Sequence, residues 1–269
     1  MTIDLRTIQA AVLDMDGVLW RGPEPLPGVG EFFAFLRAQG IDYALATNNS
    51  TKTVQSYQAR LASLGIPTRP EQVITSAVAT MEHIRRHYAP GTPVYVIGEM
   101  GIRQALAEAG FPEDPAAARL VVVGLDFGLT YDMLKTATLR INAGADFIGT
   151  NGDLTFPLPE GIAPGNGSVL AALQAATGVK PLVIGKPEVA MFEVAVERLG
   201  VEPGQVVMIG DRLETDILGA QRAGLKTILV LSGVVSAQEA RASEIQADAV
   251  FEDVADLHRA WARVLESVS

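Results

Sequence analysis

The 269-residue sequence contains no cysteine, which excludes disulfides, thiolate nucleophiles and zinc–thiolate sites and fits a reducing, cytoplasmic setting. Basic residues are in deficit: 21 Lys and Arg stand against 31 Asp and Glu, a net charge of −10. Nucleic-acid phosphates require a Lys/Arg-rich surface, so no nucleic-acid partner is expected and any phosphate site has to be local. No apolar run is long enough to cross a bilayer. The opening Met1-Thr2-Ile3-Asp4-Leu5-Arg6 lacks the basic start and apolar core of a signal peptide. There is no internal repeat and no low-complexity tract. At 48% hydrophobic and 19% charged residues the composition is globular, and the length allows one or two domains.

What the chain does have is an alternation of short apolar runs with helical stripes. Ala10–Leu13 shows no polar alternation and reads as a strand buried on both faces. Val29, Phe32, Phe33 and Leu36 recur at helical spacing before Gly40, and Ile41–Ala46 read as a second strand. Val54, Tyr57, Leu61 and Leu64 make another stripe closed by Gly65, and Val73–Thr75 a short third strand. Such alternation predicts βαβ units with right-handed crossovers on a parallel sheet. The breaker-rich Ala89-Pro90-Gly91-Thr92-Pro93 then opens a new series. It has strands at Val94–Ile97, Leu120–Leu125 and Phe147–Gly149, a Pro/Gly-rich loop from Phe156 to Gly167, a helix from Ser168 to Ala176 and a return strand at Leu182–Ile184. The first series then resumes with a helix over Glu188–Leu199, Pro187 in its first turn, and strands at Val206–Ile209 and Thr227–Leu231. Val254, Leu257, Trp261 and Val264 mark a closing amphipathic helix. The expected organisation is an α/β core of residues 1–80 and 181–269 interrupted by an inserted α/β domain of residues 81–180.

Ligands of open α/β sheets bind at the carboxyl ends of the strands. Asp14 reads as the last residue of the first strand; if Asp16 extends it, Met15 points away and both acids face one side. Two acids so placed suit a hard divalent cation; the plain alternative is an Asp/Gly turn at Gly17. Thr47-Asn48-Asn49-Ser50 follows the second strand and offers a hydroxyl, amides and free backbone N–H groups to an anion, or an ordinary helix cap. Gly185-Lys186-Pro187 places a cation before a helix, unless Lys186 is a solvated surface residue. Gly210-Asp211-Arg212-Leu213-Glu214-Thr215-Asp216 ends an apolar strand in one acid and adds another five residues on, which with Asp14 and Asp16 would complete an oxygen-rich cation site. His83 and His87 have metal-pair spacing, but no Glu general base adjoins them and Arg85 and Arg86 mark an exposed helix face, so that reading is rejected. Gly28-Val29-Gly30 lacks the later glycine of a dinucleotide loop, and Gly185-Lys186 lacks the Ser or Thr of a P-loop.

In order and spacing, Asp14/Asp16, Thr47, Lys186 and Asp211/Asp216 match the four motifs of the haloacid dehalogenase superfamily of phosphohydrolases, which the chain resembles in a Rossmann-like core at its two ends. The insertion is similar to that family's α/β type C2 cap. Thr150-Asn151-Gly152-Asp153-Leu154-Thr155-Phe156-Pro157 and Pro164-Gly165-Asn166-Gly167-Ser168 resemble the branch of NagD-like, p-nitrophenyl, pyridoxal-phosphate and phosphoglycolate phosphatases. The resemblance implies a Mg²⁺-dependent phosphomonoesterase of small phosphorylated metabolites. Asp14 would attack phosphorus, and Asp16 would protonate the leaving oxygen and then activate water. The Asp14 carboxylate, the Asp16 carbonyl and Asp211 would hold Mg²⁺. Thr47, Asn48, Asn49 and Lys186 would hold the phosphoryl oxygens, with Asp216 and Thr215 in support. A solvated ion pair accounts for Arg212 and Glu214 equally well. Asn151 and Asp153 are expected to face the crevice and select the leaving group, an Asx-capped turn being the alternative. The resemblance also implies a homodimer formed through the cap. A catalytically silent phosphometabolite sensor and a phosphotransferase are the alternatives on the same fold; intact Asp14, Asp16, Lys186 and Asp211 disfavour the sensor.

Overall fold

The computed structural model describes residues 3–158 and 160–266. The chain forms two compact units, Met1–Thr47 with Gln58–Ile74 and Pro187–Ser269, and Asn48–Tyr57 with Thr75–Lys186.

The first unit is built on a six-stranded sheet whose spatial order is Ala249–Phe251, Lys226–Val230, Val206–Gly210, Ala10–Leu13, Asp42–Thr47 and Val73–Thr75. The first five run parallel. Numbered along the chain, the strands lie in the order 3-2-1-4-5-6, the doubly wound arrangement in which direction reverses beside the first strand. Every residue of Ala10–Leu13 and Val206–Gly210 is buried, which is why these segments are apolar without alternation: helices cover both faces. The Val29–Ala38 helix packs against Val254–Glu266, burying Phe32, Phe33 and Leu36 together with Trp261. The Trp261 indole N–H donates to the Leu5 carbonyl at 3.1 Å, satisfying the one polar atom of that side chain. The Val189–Leu199 helix packs on Asp42–Thr47 and on the short Leu218–Arg222 helix. There a Cβ on Gly219 would sit 2.5 Å from the Phe192 ring, so only glycine admits the approach.

The second unit has its own parallel sheet, in the order Leu182–Val183, Asp146–Gly149, Leu120–Val123 and Val94–Ile97. Ile97, Val121, Val123, Phe147, Leu170 and Leu173 form its core with residues of the Tyr131–Asn142 and Asn166–Thr177 helices.

Three local expectations change. The return strand at Leu182 is only Leu182–Val183 and pairs with Asp146–Gly149 of the second sheet. Pro187 lies in the turn before the Glu188 N-cap rather than in the first turn of Val189–Leu199. The segment read as a loop from Phe156 to Gly167 contains an antiparallel hairpin, Thr155–Leu158 against Gly161–Pro164, followed by the start of the Asn166–Thr177 helix; residue 159 lies outside the described residues. A two-stranded ribbon has only edge strands, so it tolerates prolines that a central strand would not.

Phe32 is fully buried among Phe33, Phe35 and Trp261, with ring centroids 6.2–6.4 Å away. Phe32→Ala is expected to destabilise the first unit by about 3–5 kcal/mol through the cavity it leaves. Both tryptophans, Trp20 and Trp261, lie in that unit, so the loss is read as a lower urea midpoint in tryptophan fluorescence. An unchanged midpoint would contradict this packing.

Candidate active site

The reversal of strand order falls between Ala10–Leu13 and Val206–Gly210, so side chains leaving the carboxyl ends of these neighbours enter one crevice. The Asp14 N–H extends the ladder by donating to the Ile209 carbonyl at 2.9 Å. Asp14 and Asp211 thus emerge side by side, 8% and 1% exposed. Asp216 is returned to the same point by a π-helical turn at Leu213–Ile217, a form that recurs at functional sites. The N–H groups of Asp216 and Ile217 both donate to the Arg212 carbonyl, and the Asp216 Oδ2 accepts from the N–H groups of Asp211 at 3.2 Å and Arg212 at 3.1 Å. Asp14, Asp211 and Asp216 each present a carboxylate oxygen within 4.8 Å of the others.

Close backbone approach makes room for this cluster. Gly17 has φ +86°, and a Cβ there would lie 2.4 Å from the Asp211 Oδ2; one on Gly233 would lie 1.9 Å from the same atom. A Cβ on Gly210 would meet that of Asp216 at 2.3 Å. The Val234 N–H then donates to the Asp211 Oδ2 at 2.9 Å.

Three anions at this spacing repel by on the order of 3 kcal/mol per pair at an effective dielectric of about 20. Buried carboxylates are costly unless opposite charge and hydrogen bonds offset them. The donor set is all oxygen, which fits a hard divalent ion such as Mg²⁺.

Asp16 differs from its neighbours in being exposed. The strand does not run on to it as strict alternation would require, because the chain turns at Met15: Leu19 N–H donates to the Met15 carbonyl and Gly17 N–H to that of Trp20, both at 2.8 Å. This turn leads into a small hairpin, Trp20–Arg21 against Glu24–Pro25, that sequence periodicity does not disclose. Its first residue returns to the acid, the Trp20 indole N–H donating to the Asp16 Oδ1 at 2.8 Å. Arg21 donates to the Ser232 carbonyl and the Ser232 hydroxyl to the Gly17 carbonyl, so the turn is held from the Gly233 side as well. Thr47 is the buried last residue of the strand Asp42–Thr47, whose Leu45 pairs with Leu13. Thr215 is half-buried, and Arg212 and Glu214 are exposed.

The remaining expected residues belong to the second unit. Lys186 is 3% exposed, so it is no solvated surface lysine. Asn48 donates from Nδ2 to the Lys186 carbonyl at 2.9 Å and to both carboxylate oxygens of Asp153 at 3.2 Å. Asn151 is buried; its Nδ2 donates to the Asn48 carbonyl at 2.8 Å and its Oδ1 accepts from the Asp153 N–H at 3.1 Å. Asn49 caps a local turn, its Oδ1 accepting from the Thr51 N–H and hydroxyl. His83 and His87 stack with centroids 4.2 Å apart, and burial, then the His87 and Arg86 charges, hold His83 below the usual imidazole range.

Comparison with known proteins gives one consistent result. Residues 11–112 match the model of haloacid dehalogenase-like hydrolases, and residues 183–257 a second model of the same kind. A 5'-nucleotidase of Bacillus subtilis is 40% identical over 230 residues, 86% of this chain and 90% of that protein. The crystal structure of a 4-nitrophenylphosphatase from Thermotoga maritima superposes with a TM-score of 0.91 at 33% identity, covering 95% of this chain and 98% of that one. A glycerol phosphate phosphatase from Mycobacterium tuberculosis, solved in complex with magnesium, gives 0.87 at 33% identity, covering 95% and 78%.

Gly233→Ala tests the crowding around Asp211. Its methyl overlaps the Asp211 carboxylate, so divalent-cation affinity is expected to fall at least tenfold, by titration calorimetry with Mg²⁺, while the far-ultraviolet circular dichroism stays that of the parent. Parental affinity would show that the cation is not held at Asp211.

Proposed function

We propose that this chain, which belongs to the haloacid dehalogenase-like hydrolase family, is a phosphomonoesterase that works through a phosphorylated Asp14. The observation that carries the reading is the meeting of Asp14, Asp211 and Asp216 at the switch point of the sheet, with the exposed acid Asp16 two residues beyond Asp14. An Asp14 carboxylate oxygen forms a bond to phosphorus as the ester oxygen departs, and Asp16 gives that oxygen its proton. Asp16, now ionised, takes a proton from water, whose oxygen attacks phosphorus, releases inorganic phosphate and restores the Asp14 carboxylate. Lys186 and Thr47 bind the non-bridging phosphoryl oxygens, as a cation and a hydroxyl can. Asp14, Asp211 and the Asp16 carbonyl would hold Mg²⁺, which would supply charge neutralisation to the phosphoryl transfer. Asp216, held by two backbone N–H groups, orients the cluster.

The relatives bear names for a nucleotide, an aryl phosphate and glycerol phosphate. These differ in the leaving group and share the kind of ester, which supports a small phosphate monoester as substrate. A screen across phosphosugars, phosphoglycolate, pyridoxal phosphate, glycerol phosphate and nucleotides identifies it.

Two experiments test the chemistry. Asp14→Asn keeps volume and removes the nucleophile, so turnover is expected to vanish while the fold persists. In the parent, rapid acid quench followed by borohydride should reduce Asp14 to homoserine, read by peptide mass spectrometry. Reduction at another residue, or undiminished turnover in Asp14→Asn, would refute the covalent route. EDTA is expected to abolish activity and Mg²⁺ to restore it, whereas Ca²⁺, larger and looser in its oxygen coordination, supports little. Full activity in buffer shown metal-free by elemental analysis would refute the cation assignment.

A further inference from the structure

The function above asks Asp16 to present one oxygen to the ester and carry a proton on it, yet an exposed aspartate at a turn is free to rotate about χ2. Its surroundings remove that freedom. The Trp20 indole N–H donates to the Asp16 Oδ1 at 2.8 Å, and Trp20 itself is only 1% exposed. An indole nitrogen donates and never accepts, so the oxygen it engages is the wrong one to bear a proton, and Oδ2 is left for that role. The ring is itself fixed from the far side. The Arg60 guanidinium lies 3.8 Å from the centroid of the Trp20 ring, a cation–π contact, and Arg60 also donates to the Gly22 carbonyl at the tip of the small hairpin. A chain of contacts thus runs from Arg60 through Trp20 to Asp16, all within the first unit.

We propose that Trp20 is a positioning residue for the leaving-group acid: its indole N–H occupies Asp16 Oδ1 so that Oδ2 carries the proton to the departing oxygen, and Arg60 holds the ring in place. The proposal rests on the reading of Asp16 as that acid. It also explains an arrangement that packing alone does not require, since a buried phenylalanine would fill the same hairpin without the hydrogen bond.

The readout is kcat/KM, which ends at departure of the leaving group and excludes the later attack of water. Each variant is assayed with the best alkyl phosphate from the screen and with p-nitrophenyl phosphate, whose leaving group needs little protonation. Trp20→Phe removes the donor and keeps an aromatic ring; it is expected to lower kcat/KM for the alkyl ester about tenfold or more and for the aryl ester less than about threefold. Arg60→Met, at a partly exposed position and so milder for folding, should show the same selectivity at smaller size. The double variant should be no worse than Trp20→Phe alone, because the two act through one contact. Asp16→Asn is the reference. If it loses the alkyl ester selectively while Trp20→Phe and Arg60→Met lower both substrates equally, Trp20 is only structural and the proposal falls. If Asp16→Asn shows no selectivity, the reading of Asp16 as acid falls first and takes the proposal with it.

Discussion

The rest of the first unit is arranged around one unfavourable interaction: three carboxylates held out of water within 4.8 Å of one another. Left alone, such a cluster would splay apart. Here its members are tied to backbone that cannot move independently, since Asp14 and Asp211 follow adjacent strands in fixed register and Asp216 is hydrogen-bonded to the N–H of Asp211. The backbone supplies N–H dipoles, from Val234, Asp211 and Arg212, and glycines where any side chain would push the acids apart. An all-oxygen cluster of this kind fits a hard divalent cation.

Much of this could be read from the sequence, for a reason that is itself structural. A sheet covered on both faces demands continuous apolar strands, so Ala10–Leu13 and Val206–Gly210 announce themselves, with ends displaced by a residue or so. Acids placed directly after such runs are then at the ligand edge by topology. What escaped has no periodic signature. The hairpin Trp20–Arg21 with Glu24–Pro25 has two-residue strands, and the π-helical turn at Leu213–Ile217 is a single turn. The apolar run at Leu182 signals a strand without saying which sheet it joins. Gly233, Val234 and Trp20 take part through spatial neighbours that no spacing rule connects to Asp211 or Asp16.

Asparagine and aspartate illustrate the limit most clearly. After a strand, either can face a ligand or brace a loop, and both uses have the same local sequence. In the second unit Asn48, Asn151, Asp153 and Asn166 form a connected brace: Asn166 donates to the Asn151 carbonyl at 2.8 Å, Asn151 to that of Asn48, and Asn48 to Asp153. The short stretch Asn48–Tyr57 is thereby joined to residues more than 100 positions later, within a unit that it does not adjoin in sequence.

The register of the central strand carries a consequence for biosynthesis. Ala10 pairs with Val206 on one side and with Asp42 on the other, so the strand on which the first sheet is centred leaves the ribosome long before one of its two partners exists. Most of the second unit, from Thr75 to Lys186, is synthesised in between, and its four strands follow one another in simple spatial order. Closing so long a loop is slow relative to local pairing, and domains tend to fold as they emerge. The interrupting unit is therefore complete before the edge of Ala10–Leu13 that takes Val206–Gly210 has its partner. An apolar strand edge left open in this way is a general site of pairing between chains.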